Sequence, residues 1–177
     1  EDGHALLRRV KQGVSYDPEQ WPLRPAWQSY ALADYRARLA QLPEGMAAAI
    51  NAEWGAPEDD PVLRQGRFMI AGLRLGQVFV GIQPARALGT DAQSYAGYHD
   101  AERVPPHSYL AFYFWLRDVF GVHALSHVGK HGNLEWLPGK SLALSARCWP
   151  DAILGPLPHL YPFIVNDPGQ GAQAKRP

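Results

Sequence analysis

Two histidines, a lysine and a glutamate crowd into the segment Ser126-His127-Val128-Gly129-Lys130-His131-Gly132-Asn133-Leu134-Glu135-Trp136. Two imidazoles and a carboxylate are a ligand set that divalent transition metals accept. His123, His127, His131 and Glu135 recur every four residues, which would line one face of a helix. Gly129 and Gly132 argue against an unbroken helix there. If a strand enters a turn instead, His123 and His127 share a strand face, and the turn must bring His131 and Glu135 round. A strand-to-turn junction is where α/β folds place ligands. A plain polar turn, whose His and Glu side chains satisfy backbone groups, fits the same residues. The pattern matches no dedicated metal signature, so spacing alone leaves both readings open.

Other reactive patterns in the chain are weaker. Leu134 to Ser141 ends in Gly139-Lys140-Ser141, the last three residues of a phosphate-binding loop. Leu134 stands where that motif needs its first glycine, and Pro138 removes an amide that should cradle phosphate; a nucleotide site is excluded. Cys148, flanked by Trp149 and Pro150, reads as a small buried hydrophobe rather than a nucleophile. Tyr95, Tyr98, Tyr109, Tyr113, Trp115, Trp136 and Trp149 could wall a flat ligand. Those on a helix read better as core, and Trp136, beside the Gly-rich turn, as the ligand wall.

These residues need elements to position them. Trp27, Ala31, Leu32, Tyr35 and Leu39 are spaced as the stripe of an amphipathic helix. A second helix is expected through Ala47–Ala49 to Trp54, with Pro43 near its start and Gly55 and Pro57 stopping it. Glu58, Asp59, Asp60 and Pro61 read as a solvated acidic turn. Val78, Phe79, Val80 and Ile82, between Gly76 and Pro84, form an expected buried strand. Residues 84–106 lack periodicity, a loop long enough to suggest function. A helix is expected from His107 to Phe120, introduced by Pro105-Pro106 and ended by Gly121. Strands are expected at Val122–Val128 and Tyr161–Val165, followed by the turn Asn166-Asp167-Pro168. The fold class implied is α/β: a helical segment over residues 1–55, then an α/β segment over 56–177 with a small, mostly parallel sheet, flanking helices and the histidine-bearing turn.

Composition limits the partners. Acidic and basic residues balance at 17 each. This gives no basic excess for nucleic acid or for an anionic membrane surface. The longest apolar run, Tyr109 to Leu116, is far short of the roughly 20 residues a membrane helix needs. One cysteine allows no internal disulfide and suits a reducing, cytoplasmic setting. A charged start at Glu1 and an end that reads like the approach to another element suggest a piece of a longer chain.

The segment His127 to Lys140 resembles the large-subunit family of cobaltochelatase and its relatives, the large subunits of magnesium chelatase. Further matching stretches are Trp54 to Glu58, Gly76 to Pro84, Pro105-Pro106-His107, Cys148 to Asp151, Tyr161 to Gly169 and Ala174-Lys175-Arg176. Lys130, Trp136 and Leu137 look like the cobalt branch; the magnesium branch typically has Thr for the lysine and Phe-Met after the glutamate. The resemblance implies a fragment of a far longer tetrapyrrole-binding subunit. That subunit would insert cobalt into hydrogenobyrinic acid a,c-diamide in aerobic cobalamin synthesis, with ATP hydrolysed by separate AAA+ and metal-binding-domain partner subunits. It implies Glu135 and His131 as catalytic groups and His127, His131 and Glu135 as transient metal ligands. Lys130, Trp136, Arg86 and Asn166 would then bind the corrin precursor. Magnesium insertion, a scaffold that only docks partner subunits, and a stand-alone metal-dependent hydrolase remain as alternatives.

Overall fold

The computed structural model describes residues 2–15, 24–88, 100–128, 133–140 and 143–162. Its centre is one helix, His107–Trp115, in which all nine residues are buried. A helix buried all round must be covered all round, and most of the remaining elements do so. In chain order these are α1 (Gly3–Gln12), β1 (Gln28–Ala31), α2 (Leu32–Leu39), α3 (Met46–Trp54), β2 (Leu63–Arg64), β3 (Arg67–Ile70), β4 (Gly72–Leu75) and β5 (Val78–Gly81). Then come the central helix, α4 (His107–Trp115), β6 (Leu125–Ser126), α5 (Trp149–Leu154) and β7 (His159–Leu160). Tyr30 on β1, Phe68 and Ile70 on β3, Tyr35 and Leu39 on α2 and Ile153 on α5 share its core.

The mixed helix-and-sheet content agrees with the expected α/β class, but the strand direction does not. Strands β1, β3 and β2 form an antiparallel sheet, β4 and β5 an antiparallel hairpin, and only the two-residue strands β6 and β7 run parallel. The cause is local. Gln65-Gly66 and Gly76-Gln77 are two-residue turns, and only antiparallel strands can be joined so tightly. Gln65 and Gly66 both have positive φ, at 49° and 72°, as the type I′ turn requires. Gly76 alone does in the second turn, at 62°, which matches type II′.

Several elements differ from expectation in extent. The stripe from Trp27 to Leu39 is not one helix: Gln28–Ala31 is a strand, the helix begins at Leu32, and Trp27 is 45% exposed. A sheet strand therefore lies within the first 55 residues. The expected buried strand is the outer arm of a hairpin, with Val78 58% exposed. In the stretch 122–128 only Leu125–Ser126 is strand, and the strand placed at Tyr161–Val165 falls earlier, at His159–Leu160; residues 163–165 lie outside the described residues. The described ends of the loop, 84–88 and 100–106, have no regular structure beyond bends and a turn. The helices after Pro43 and after Pro106 match expectation. α4 continues as a π-helical turn over Leu116–Phe120 that Gly121 ends in the left-handed conformation, φ 70°.

The start of α4 carries the buried polar groups. Its N-cap, Pro106, has no side-chain acceptor to cap with. The cap is supplied from the acidic turn, which is not simply solvated. Asp60 is 4% exposed and accepts from the backbone N–H groups of Ser108, at 2.8 Å, and Val62, at 2.9 Å. A carboxylate at a helix N-terminus satisfies free donors and meets the positive end of the dipole. Burial pushes its pKa up, and the hydrogen bonds from Val62 and Ser108 oppose that shift. Beside it, His107 is fully buried. Its Nε2 lies 3.1 Å from the carbonyl oxygen of Gly55, which can only accept, so Nε2 carries the proton. Nδ1 then accepts from the Tyr35 hydroxyl at 2.6 Å. The other side of the segment before α4 is tied by Trp54, whose indole N–H donates to the Val104 carbonyl at 2.9 Å, and by the Arg103–Glu53 ion pair.

Two stability experiments follow. Tyr35→Phe leaves the buried His107 Nδ1 without its donor and is expected to cost about 1–3 kcal/mol in urea unfolding; no loss would show that this bond contributes nothing net. The second concerns acid. Burial lowers the His107 pKa from its ordinary 6.5, outweighing the Gly55 bond and the nearby Asp60, Glu58 and Asp59. The folded chain therefore binds fewer protons than the unfolded chain at this group, and stability falls as the pH drops below 6.5. Asp60, raised above 3.8, acts in the opposite sense: its contribution is full below that value and lost as the pH rises through its folded value. The difference between wild type and His107→Gln isolates the histidine. The variant should be less stable at neutral pH but lose less stability between neutral pH and about pH 5. Parallel pH curves would remove His107 from the acid response.

Candidate functional site

The site candidate is a cavity of about 420 Å³ beside the β4–β5 hairpin. Phe79 from β5, Phe112 from α4 and Phe120 from the π turn give it apolar walls; Gln83, His127 and Tyr161 supply polar groups. Leu116 and Phe120, the two ends of the π turn, both line the cavity. Such turns recur at functional sites. Among the described residues the lining contains no Lys, Arg, Asp or Glu.

One hydrogen-bonded series joins five separate parts of the chain at this wall. Tyr109 and Tyr113 stand one turn apart on α4. The Tyr109 hydroxyl donates to Asn133 Oδ1 at 2.7 Å, and Asn133 Nδ2 donates to the Pro84 carbonyl at 3.1 Å. The Asn133 backbone N–H donates to Gln83 Oε1 at 3.1 Å, and Gln83 Nε2 donates to the Tyr113 hydroxyl at 2.9 Å. That hydroxyl lies 3.1 Å from His127 Nε2, and His127 Nδ1 lies 3.1 Å from His159 Nε2. His159 stacks on Tyr161 with ring centroids 5.9 Å apart, and His127 meets both rings edge-on. Burial, then the neighbouring His159, lowers the His127 pKa to about 4; burial lowers that of His159 as well. Both imidazoles are neutral at pH 7.

Against this geometry the expected site residues divide. His127 lines the cavity, with both ring nitrogens engaged. Glu135 lies in the short 3-10 turn Leu134–Trp136, which follows Asn133 directly. Trp136 is half-buried in that turn and is not among the cavity residues. Arg86 is 1% exposed, donates to the Asp100 carbonyl and does not line the cavity. Lys130, His131 and Asn166 lie outside the described residues, and among those described no group of three or more His, Cys, Asp or Glu side chains could hold a metal. Cys148 is buried, as expected, and its sulfur accepts from the Lys140 and Ser145 amides at 3.4 Å each. Burial raises its pKa, but these bonds outweigh that and lower it overall. The residues sequence reasoning missed are Asn133, Gln83 and His159. The signal for the first two was position: each borders a candidate segment, before Leu134-Glu135 and before Pro84. For Tyr109 and Tyr113, the i, i+4 spacing already put both hydroxyls on one helix face.

A family model described as CobN/magnesium chelatase matches residues 1–176. A protein named aerobic cobaltochelatase subunit CobN, from Pseudomonas aeruginosa, is 62% identical over 98% of this chain and 14% of its own length. A second of that name, from Sinorhizobium, is 50% identical over 99% of this chain and 13% of its own. A magnesium-chelatase subunit of Chlorobaculum parvum is 40% identical over 72% of this chain and 10% of its own. The solved structure of the catalytic subunit of cobaltochelatase from Mycobacterium tuberculosis is similar with a TM-score of 0.79 and 42% identity, covering 99% of this chain and 15% of that one. The chain thus spans about a seventh of the relatives it matches. No helix of the described residues is long and apolar enough to cross a membrane. With a match along nearly its whole length and close relatives of both the cobalt and magnesium kinds, this chain belongs to the CobN/magnesium chelatase family.

Proposed function

We propose that this chain is part of the tetrapyrrole-binding large subunit of an ATP-dependent cobaltochelatase, a cytoplasmic enzyme that inserts cobalt into hydrogenobyrinic acid a,c-diamide. The observation that carries the reading is the anchoring of Asn133. The residue that leads into Leu134-Glu135-Trp136 is held by hydrogen bonds to α4 and to the end of the β5 segment. Gln83, which accepts from the Asn133 amide, lines the apolar-walled cavity, so the residue leading into the 3-10 turn is tied to the cavity wall. Cobalt is preferred to magnesium because the relatives named for cobalt are the more similar of those compared. ATP would be hydrolysed by AAA+ partner subunits acting with a metal-binding-domain subunit.

The chemistry asks for two things. The corrin ring gives up its inner N–H proton as the metal enters, so a base must stand near it. The metal must shed water and pass through weak, exchangeable ligands. Glu135 is the proposed base, with His131 assisting. Glu135, His131 and His127 are the proposed transient ligands, and His127 reaches a metal only by releasing Tyr113 or His159. Lys130 and the turn at Asn166 would meet the acidic side groups of the corrin, and Trp136 its flat face; Arg86 would join them only by leaving its buried place against the Asp100 carbonyl.

The decisive variant is Glu135→Gln in the whole subunit, assayed with its partner subunits. General-base loss predicts insertion slower by about 10²-fold or more, with corrinoid binding retained. Normal insertion by the folded variant would remove Glu135 from the mechanism and favour a scaffold role for this region. A second measurement uses the 177 residues alone. A cavity near 420 Å³ is at the small end for a ligand pocket, and a corrin needs more wall than that. Titration with hydrogenobyrinic acid a,c-diamide, followed by tryptophan fluorescence, should therefore show binding weaker than micromolar. Micromolar or tighter binding would show that the complete pocket lies here.

A further inference from the structure

The hairpin β4–β5 and the parallel pair β6–β7 rest on the same helix. Phe79 of β5 packs on the rings of Phe112, Trp115 and Phe120, with centroids 6.1, 4.9 and 5.9 Å away. His127, just after β6, lies against Tyr113 of α4. Both pieces border the cavity, which is also lined by Phe112, Leu116 and Phe120. The backbone hydrogen bonds show which strand edges face it. Along a strand, the N–H and C=O of one residue turn to the same side, and the side alternates from residue to residue. The Ile82 N–H donates to the Ala71 carbonyl at 3.2 Å. Val78, Val80 and Ile82 therefore turn to β4, and Phe79 and Gly81 turn away from it. On β6, the Leu125 and His127 N–H groups donate to the Pro158 and Leu160 carbonyls at 2.9 and 2.8 Å. Ala124, Ser126 and Val128 therefore turn away from β7. All five of these outward-turned residues line the cavity. Among the described residues their N–H and C=O groups have no hydrogen-bond partner. The cavity thus lies between two free strand edges.

We infer that the cavity is the place of the middle strand of a five-stranded sheet, and that an extended, uncharged segment of the longer polypeptide, from outside these 177 residues, lies in it and pairs with β5 on one side and β6 on the other. Free strand edges are ready templates for another strand, and folded proteins pair or cover them. The lining has apolar side chains and no Lys, Arg, Asp or Glu among the described residues, which suits a peptide backbone with apolar side chains. Val78 and Val128, at the two rims, are 58% and 83% exposed and would be covered by such a segment. The source of the strand follows from how short its neighbours are. β6 and β7 have two residues each, and an isolated two-stranded piece is marginal in water. A strand that supports them has to be present whenever the subunit is folded, which a tethered segment is and a visiting partner is not. The relatives have ample chain for it, since the match covers 13 to 15% of their length. The inference takes from the proposed function only that the chain is part of a longer subunit, and it stands whichever metal that subunit inserts.

The test is hydrogen exchange on the whole wild-type subunit without corrinoid, read residue by residue at the N–H groups of Phe79, Gly81, Ser126 and Val128. The expected result is exchange about 10²-fold or more slower than in unstructured chain at both edges. Exchange within about tenfold of the unstructured rate at either edge overturns the inference. Protection that arises only when the corrinoid is added gives the slot to the ring instead, and overturns it as well. The occupant is then identified by placing the photo-cross-linking residue p-benzoylphenylalanine at position 128, where the native side chain is mostly exposed and the change is tolerated. The expected product joins residue 128 to a peptide of the same subunit outside the 177 residues. A product joined within the 177 residues, joined to a partner subunit, or quenched by solvent alone overturns the assignment of the strand to the longer chain.

Discussion

A helix buried on every side has no solvent face on which to put a polar group, and this constraint organises the molecule. α4 carries His107, Ser108, Tyr109 and Tyr113 into the interior. Left unpaired, each would cost a desolvation penalty comparable to a lost hydrogen bond. The chain answers each from a different direction. Asp60 caps the Ser108 amide, Tyr35 and Gly55 take the two nitrogens of His107, Asn133 takes Tyr109, and Gln83 and His127 take Tyr113. These partners are the acidic turn, α2, the end of α3, the family motif, the segment after β5 and the segment after β6. Satisfying one helix therefore fixes the position of nearly every element around it.

The two ends of α4 use this constraint differently. At the N-terminal end the partners close on themselves: Asp60, His107 and Tyr35 are all buried and lie away from the cavity. That cluster holds the fold together. Further along the helix, Tyr109 and Tyr113 face outward-leading chains, and the second ends at the cavity wall. The same physical demand thus yields a structural cluster at one end and a site at the other. What separates them is only where the partner residues lead.

Much of α4 and its surroundings was legible in the sequence. Pro105-Pro106 and Gly121 bracket it, Gly55 ends α3, and Cys148 is buried beside Trp149 as its neighbours implied. The strand direction was written in the same letters and misjudged. Gln65-Gly66 and Gly76-Gln77 are short-hairpin turns, and attention to them would have excluded a mostly parallel sheet. β1 was harder, because its four residues include only one that is buried, and the stripe from Trp27 onward mimics helical spacing. The long-range pairings of the hydrogen-bonded series were not legible. Its links join residues 50 and 32 positions apart, Gln83 with Asn133 and His127 with His159, and no local period reports such pairing. The motif drew attention to His127 but gave no hint that both its nitrogens were already engaged.

The absence of charged side chains among the described lining residues bears on how the proposed chemistry must be arranged. A wall of phenylalanines, a neutral histidine and an amide already satisfied on both ends favours an uncharged group and penalises an ion, which would be stripped of water with nothing opposite to replace it. Under the proposed function, the acidic side groups of a corrin would be poor occupants of this cavity and an apolar edge of the macrocycle a good one. On the same reading, ionic work would fall to Lys130 and Glu135 of the motif rather than to this wall. The ring must be held by contacts that do not compete for the ion, and the ion by ligands that can let it go.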